Sequence, residues 1–236
     1  MLHNIRQLYG SKLAALDGDI GHVKDFYFDD KNWVIRYLVA DTGSWLTGQL
    51  VLLTPHALGG VEESGKTMQI KLLMKQIQDS PSIESHKPVS RQFEIEYYGY
   101  YGWPPYWDGG GMSGLGPYPI DMPLLEDETT ADQMHKHQED EHLRSTQALI
   151  GYNIQANDGE IGHIIDFIVD DKNWTIGDLV IETGHWLSSK EILIPSIKVK
   201  KISYEDSKVF VHLTKAHIEQ ASENEVSRHN GSKVHS

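Results

Sequence analysis

Residues 18–53 read GDIGHVKDFYFDDKNWVIRYLVADTGSWLTGQLVLL, and residues 159–194 read GEIGHIIDFIVDDKNWTIGDLVIETGHWLSSKEILI. At an offset of 141 about half of the positions are identical, and most of the others exchange one apolar residue for another. A period this long does not belong to a solenoid; it implies two copies of one small domain. The likeness continues into Met68–Leu72 against Val209–Leu213, and into Lys75–Gln78 against Ala216–Glu219. Aligning Pro55 with Pro195 calls for one gap near Thr54 and a compensating gap before Thr67.

Within each copy the pattern is that of short strands. Leu13–Leu16 and Ile150–Ala156 precede Asp-Gly turns, a hairpin signal. Ile20, Val23, Phe26 and Phe28 are apolar in both copies, but the step from Val23 to Phe26 is three rather than the two that one strand face requires. One extra residue restores the face, so a β-bulge is expected near Lys24-Asp25 and again near Ile165-Asp166. Asp29–Asn32 and Asp170–Asn173 read as turns, with the acids forming Asx-turns. Strands are expected from Trp33 to Ala40 and from Trp174 to Ile181. Further runs are Leu50–Leu53, Leu58–Glu62 and Met68–Leu72, and in the second copy Ile192–Ile194, Lys198–Ser203 and Lys208–Leu213. Short helical turns at Met74–Gln78 and Lys215–Ala221 close the copies. Five or six short strands with turns every few residues predict an all-β chain of two small antiparallel β-barrels. Residues 1–17 are expected to begin irregularly before the first strand.

The expected organisation is a first copy over 1–80, a linker over 81–146, a second copy over 147–222 and a disordered tail over 223–236. Between the copies, 93–119 reads FEIEYYGYYGWPPYWDGGGMSGLGPYP, whose glycines and prolines argue against a long helix or regular sheet. Residues 126–146 are acidic and contain His135, His137 and His142.

Composition narrows the function classes. The chain has 236 residues, no cysteine and a formal net charge of −13. Disulfides, thiolate metal sites and cysteine nucleophiles are therefore excluded. Residues 80–147 hold 12 acids and 4 bases, and so carry more than half of the net charge. Such a chain is repelled by phosphate backbones, so no nucleic acid is expected as a partner. MLHNIRQLYG is not a secretory signal and no run is long enough to cross a bilayer, so a cytoplasmic location is expected.

No P-loop, GxSxG elbow or HExxH occurs. His22 and His163 recur beside Asp25 and Asp166, and near Asp29 and Asp170. They read either as a metal or acid–base site or, as expected, as the solvent face of a strand and its turn. The spacing around Asp29 is not that of a calcium loop. His135, His137, His142, Glu139, Asp140 and Glu141 are weak zinc or nickel candidates, with a solvated segment the expected reading. Trp33, Trp45, Trp174 and Trp186 read as packing residues, with contact anchors as the alternative. The candidate partner-binding residues are Tyr97, Tyr98, Tyr100, Tyr101, Trp103, Tyr106 and Trp107, because Tyr and Trp dominate contact hot spots. The alternative is that this aromatic stretch folds back over the barrels. No enzyme activity, resident cofactor or metal is expected.

The pattern G-[DE]-I-G-H-[VI]-x-D-F-x-[FV]-D-D-K-N-W-x-I-x-x-L-V-x-[DE]-T-G-x-W-L, followed by an apolar strand and a closing strand–helix, resembles the PRC-barrel domain. The linker is similar to that of bacterial proteins with two copies of this domain. The resemblance implies paired small β-barrels used for protein–protein contact, a non-enzymatic adaptor with a protein partner and, as an option, self-association. The family takes its name from the photosynthetic reaction-centre H subunit. One alternative is thus an accessory role in photosynthetic electron transport, with peripheral association to a membrane complex. A metal-dependent enzyme using the duplicated His/Asp set is the other alternative.

Overall fold

The computed structural model describes residues 1–46, 48–62, 66–81, 91–104, 142–184 and 189–220. The first half contains β1 (Leu2–Asn4), α1 (Ile5–Leu8), β2 (Lys12–Ala15), β3 (Gly18–Asp29), β4 (Val34–Asp41) and β5 (Leu50–Leu53). A 3-10 turn (Pro55–Ala57), β6 (Leu58–Val61), β7 (Thr67–Ile70) and α2 (Met74–Gln78) complete it. α3 (Arg91–Tyr101) follows. The second half contains β8 (Leu143–Ser145), α4 (Thr146–Leu149), β9 (Asn153–Ala156), β10 (Gly159–Asp170), β11 (Thr175–Thr183) and β12 (Glu191–Pro195). A 3-10 turn (Ser196–Lys198), β13 (Val199–Ser203) and β14 (Lys208–Val211) follow, and residues 215–220 are helical. The chain is mainly β, as expected.

The offset of 141 holds from the first strand to the last. The 3-10 turns begin at Pro55 and Ser196, and the closing strands at Thr67 and Lys208. No gap is therefore needed near Thr54, which corrects the alignment on proline. Pro55 is the first residue of its turn, whereas Pro195 caps its turn and Thr54 is its counterpart.

The expected bulges are present. The β3–β4 register shifts between Val23 and Asp25, and the β10–β11 register between Ile164 and Asp166. Gly21 and Gly162 lie where these long strands cross their neighbours closely. A Cβ there would run into the carbonyl oxygen of Asp41 or Glu182.

Two expectations are corrected. First, the halves are not purely antiparallel: β2 runs parallel to β7, and β9 parallel to β14. The chain passes through the 3-10 turn without reversing, so β6 continues in the sense of β5 and β7 returns alongside β2. Among the described residues no backbone pairing joins β5 to β6 or β12 to β13, so each half's ladder is open at that seam. Second, 93–119 does contain a helix. Residues 91–98 carry no Gly or Pro, and the helix runs on through Gly99 to Tyr101, stopping at Gly102. Gly102 takes φ 67°, Trp103 N–H donates to Tyr98 O (3.0 Å) and Gly102 N–H to Gly99 O (3.2 Å). This is a Schellman stop, followed by Pro104.

The halves exchange their leading segments. β1 pairs with β10 of the other half, in register Leu2↔Asp170 to Asn4↔Ile168. β8 pairs with β3, in register Leu143↔Asp29 to Ser145↔Tyr27. Residues 1–17 are thus not irregular at their start, and the second half's first strand begins at Leu143. Between the halves, β4 meets β11 at Val34↔Thr175. Trp33 and Trp174 both adopt φ 55°, and each carbonyl accepts from the other half: Ile176 N–H to Trp33 O and Ile35 N–H to Trp174 O, both 2.7 Å. Their rings are buried, Trp33 against Phe28 (5.1 Å) and Trp174 against Phe26 (6.0 Å). One hydrophobic core therefore runs through both halves.

Candidate interaction surface

The recurrent His-Asp motif divides its work. Asp25 and Asp166 are buried, at 8% and 6% exposure, which corrects the expectation that they lie on the solvent face. The bulge turns each carboxylate towards the segment received from the other half. Asp25 accepts from the hydroxyls of Ser145 and Thr146 and from Gln147 N–H (3.1 Å), so it caps α4. Asp166 accepts from Arg6 N–H (3.0 Å) in α1. Burial raises the pKa of both, and those hydrogen bonds partly offset it. His22 is exposed, and His163 Nε2 stands 3.4 Å from Glu182 on the surface.

The acidic turns act in the same way. Asp29 and Asp170 form the expected Asx-turns, accepting from Lys31 N–H (2.8 Å) and Lys172 N–H (3.1 Å). Although burial pushes its pKa upward, Arg36 and backbone N–H groups hold Asp29 below the usual carboxylate value. The second aspartates grip the exchanged strands: Asp30 accepts from Arg144 Nε (2.7 Å) and pairs with His142 (3.0 Å), while Asp171 pairs with His3 (2.9 Å). Among the described residues no three His, Asp or Glu side chains converge as a metal cluster. His135, His137, Glu139, Asp140 and Glu141 lie outside the described residues.

The aromatic stretch packs on the outer face of the first half. Tyr97 and Tyr98 are buried against Tyr37, Val39 and Leu52. Tyr97 Oη donates to Leu52 O (2.7 Å), and Tyr37 Oη donates to the buried Glu94 (2.9 Å). Desolvation raises the Tyr97 hydroxyl well above its ordinary pKa and pushes Tyr98 up to about 12. Tyr101 stacks on Trp103 (4.4 Å between ring centres), and Trp103 stacks on His56 (5.6 Å). Tyr100 is exposed, with its hydroxyl donating to Gln76 O (3.1 Å). Tyr106, Trp107 and Trp186 lie outside the described residues. Trp45 is half-buried against the core.

The second half differs at the equivalent face. The counterparts of Tyr37, Val39, Leu52 and His56 are Asp178, Val180, Leu193 and Ile197. Leu193 is 50% exposed and Ile197 is 84% exposed. Sequence reasoning passed over both: Leu193 sits in an apolar strand run that reads as core, and Ile197 is a lone apolar residue between Ser196 and Lys198. The available signal was the break in the repeat, with isoleucine at 197 where the first copy has histidine.

Residues 143–218, from the start of β8 to the buried Ile218, match the family model described as PRC-barrel domain. The family so described is a small β-barrel module, and the match covers the second half. No curated protein matches the chain. No helix among the described residues is long and apolar enough to cross a membrane.

Proposed function

We propose that the chain is a non-enzymatic protein–protein interaction module made of two PRC-barrel copies locked together. The observation that carries this reading is the pair Leu193 and Ile197, exposed at positions whose first-copy counterparts, Leu52 and His56, lie against α3 and Trp103. Exposed apolar side chains beside an intramolecularly covered equivalent fit a face kept open for a partner. Asp25, Asp30, Asp166 and Asp171 of the repeated motif serve as partners of the exchanged segments at the joint between the copies.

The test is affinity capture from native lysate with the whole chain, compared with Leu193→Asp plus Ile197→Asp and with Tyr100→Ala. A partner retained by the whole chain and lost with the double variant supports the module and assigns its face. Loss with Tyr100→Ala alone moves the face to α3. No reproducible partner, or one indifferent to every variant, overturns the reading.

A further inference from the structure

A cleft of about 540 Å³ opens where the first half's acidic turn, the exchanged strand β8 and β13 meet. Four consecutive residues of β13, Val199 to Ile202, line it. The β13–β14 register shifts between Val199 and Lys201, a bulge that breaks the usual alternation of side chains along this stretch. β13 is the terminal strand of the sheet; among the described residues only β14 pairs with it.

The lining is basic in a chain of net charge −13. Lys31, Arg144, Lys200 and Lys201 contribute four cations. Asp30 is the acid within it, and it is already engaged by Arg144 and His142. Lys31 and Lys200 are exposed and form no ion pair with the described residues, while the Lys201 ammonium lies over the Phe210 ring (4.6 Å). Ile197 supplies an exposed apolar contact at the same cleft. The lysine pair is confined to one copy: at the offset of 141, Gly59 and Gly60 stand where the second copy has Lys200 and Lys201.

We infer that this cleft takes an extended acidic peptide segment of a partner protein, added as a strand along the open edge of β13. Main-chain hydrogen bonds to the edge would supply affinity. Lys31, Lys200 and Lys201 would select acidic side chains, and Ile197 would receive an apolar one. The inference rests on the interaction reading above and names the partner's chemistry. Its physical competitor is that edge lysines only protect the strand from non-specific pairing.

The test uses the full chain and a fluorescein-labelled peptide of alternating Glu and Val, with an alternating Lys and Val peptide as control, followed by anisotropy. The Glu-Val probe should bind, weaken as salt rises, and lose at least about tenfold in affinity with Lys200→Glu plus Lys201→Glu. Lys75→Glu, an exposed charge reversal on α2, should leave binding unchanged. Equal binding of both peptides, no binding of the Glu-Val probe, or indifference to the double reversal overturns the inference and leaves the lysines as edge protection. If lysate capture still depends on Leu193 and Ile197 in that case, the interaction module stands without this cleft.

Discussion

At the scale of single residues, Asp25 decides how the exchanged segment is held. Its carboxylate meets the hydroxyls of Ser145 and Thr146, the backbone N–H of Gln147 and its own Phe26 N–H. Asp25→Ala strands those donors and should cost about 1–3 kcal/mol of stability in urea unfolding. Asp25→Asn gives a pH test. A carboxyl whose folded pKa is raised contributes stability that is present below its unfolded value and is lost as pH rises through the folded one. The stability of the unaltered protein relative to Asp25→Asn should therefore grow as pH falls from about 7 to about 4. A constant or shrinking difference contradicts a raised Asp25. Asp29 and Asp171, held low, act in the opposite sense and lose their contribution at still lower pH, equally in both proteins. Asp25 was legible in the sequence as a recurrent residue. Its role was not, because its partners lie about 120 positions away and are absent from the local pattern.

At the scale of elements, local spacing and long-range contact divide what could be read. The bulges followed from the three-residue step between Val23 and Phe26, a purely local signal. α2 was legible to the residue. α3 was obscured by reading glycine and proline density across 93–119 as uniform, although Gly99 is the first such residue after Phe93. β1 and β8 are three residues long and find their ladders only on the opposite half, so nothing adjacent in sequence announces them. α3 depends on its outer-face packing more than on helix propensity, since it is 11 residues long and carries aromatics and a glycine. Tyr97→Ala removes a buried ring and the hydrogen bond to Leu52 O, a change typically costing about 3–5 kcal/mol for a large aromatic. Hydrogen exchange should then accelerate in 93–101 while β10 and β11 keep their protection. Acceleration throughout both halves would mean that α3 is integral to the whole fold rather than a cover on one face.

At the scale of the whole molecule, the two halves are interlocked rather than strung together. Each sends its leading strand and helix to the other, and the Trp33 and Trp174 carbonyls close a reciprocal pair of hydrogen bonds between them. Ile5, Leu8 and Leu149 are fully buried in the shared core, so the exchanged helices bring apolar surface as well as backbone pairing. A fully buried aliphatic side chain contributes roughly 1.5–3 kcal/mol relative to exposure, and three of them together with two short ladders resist separation. Cleavage of the native chain at a protease site introduced between residues 105 and 141 should therefore leave the fragments together on size exclusion, parting only in denaturant. Trp174→Ala should weaken that association, because it removes a ring stacked across the joint on Phe26. Fragments that part without denaturant would show that covalent linkage, and not the exchange, holds the pair. The same geometry gives an isolated second copy, residues 142–220, an exposed joint and a leading segment with no partner. Two such fragments can restore both contacts only by pairing with each other, so sedimentation should find them as dimers whose apparent stability rises with concentration.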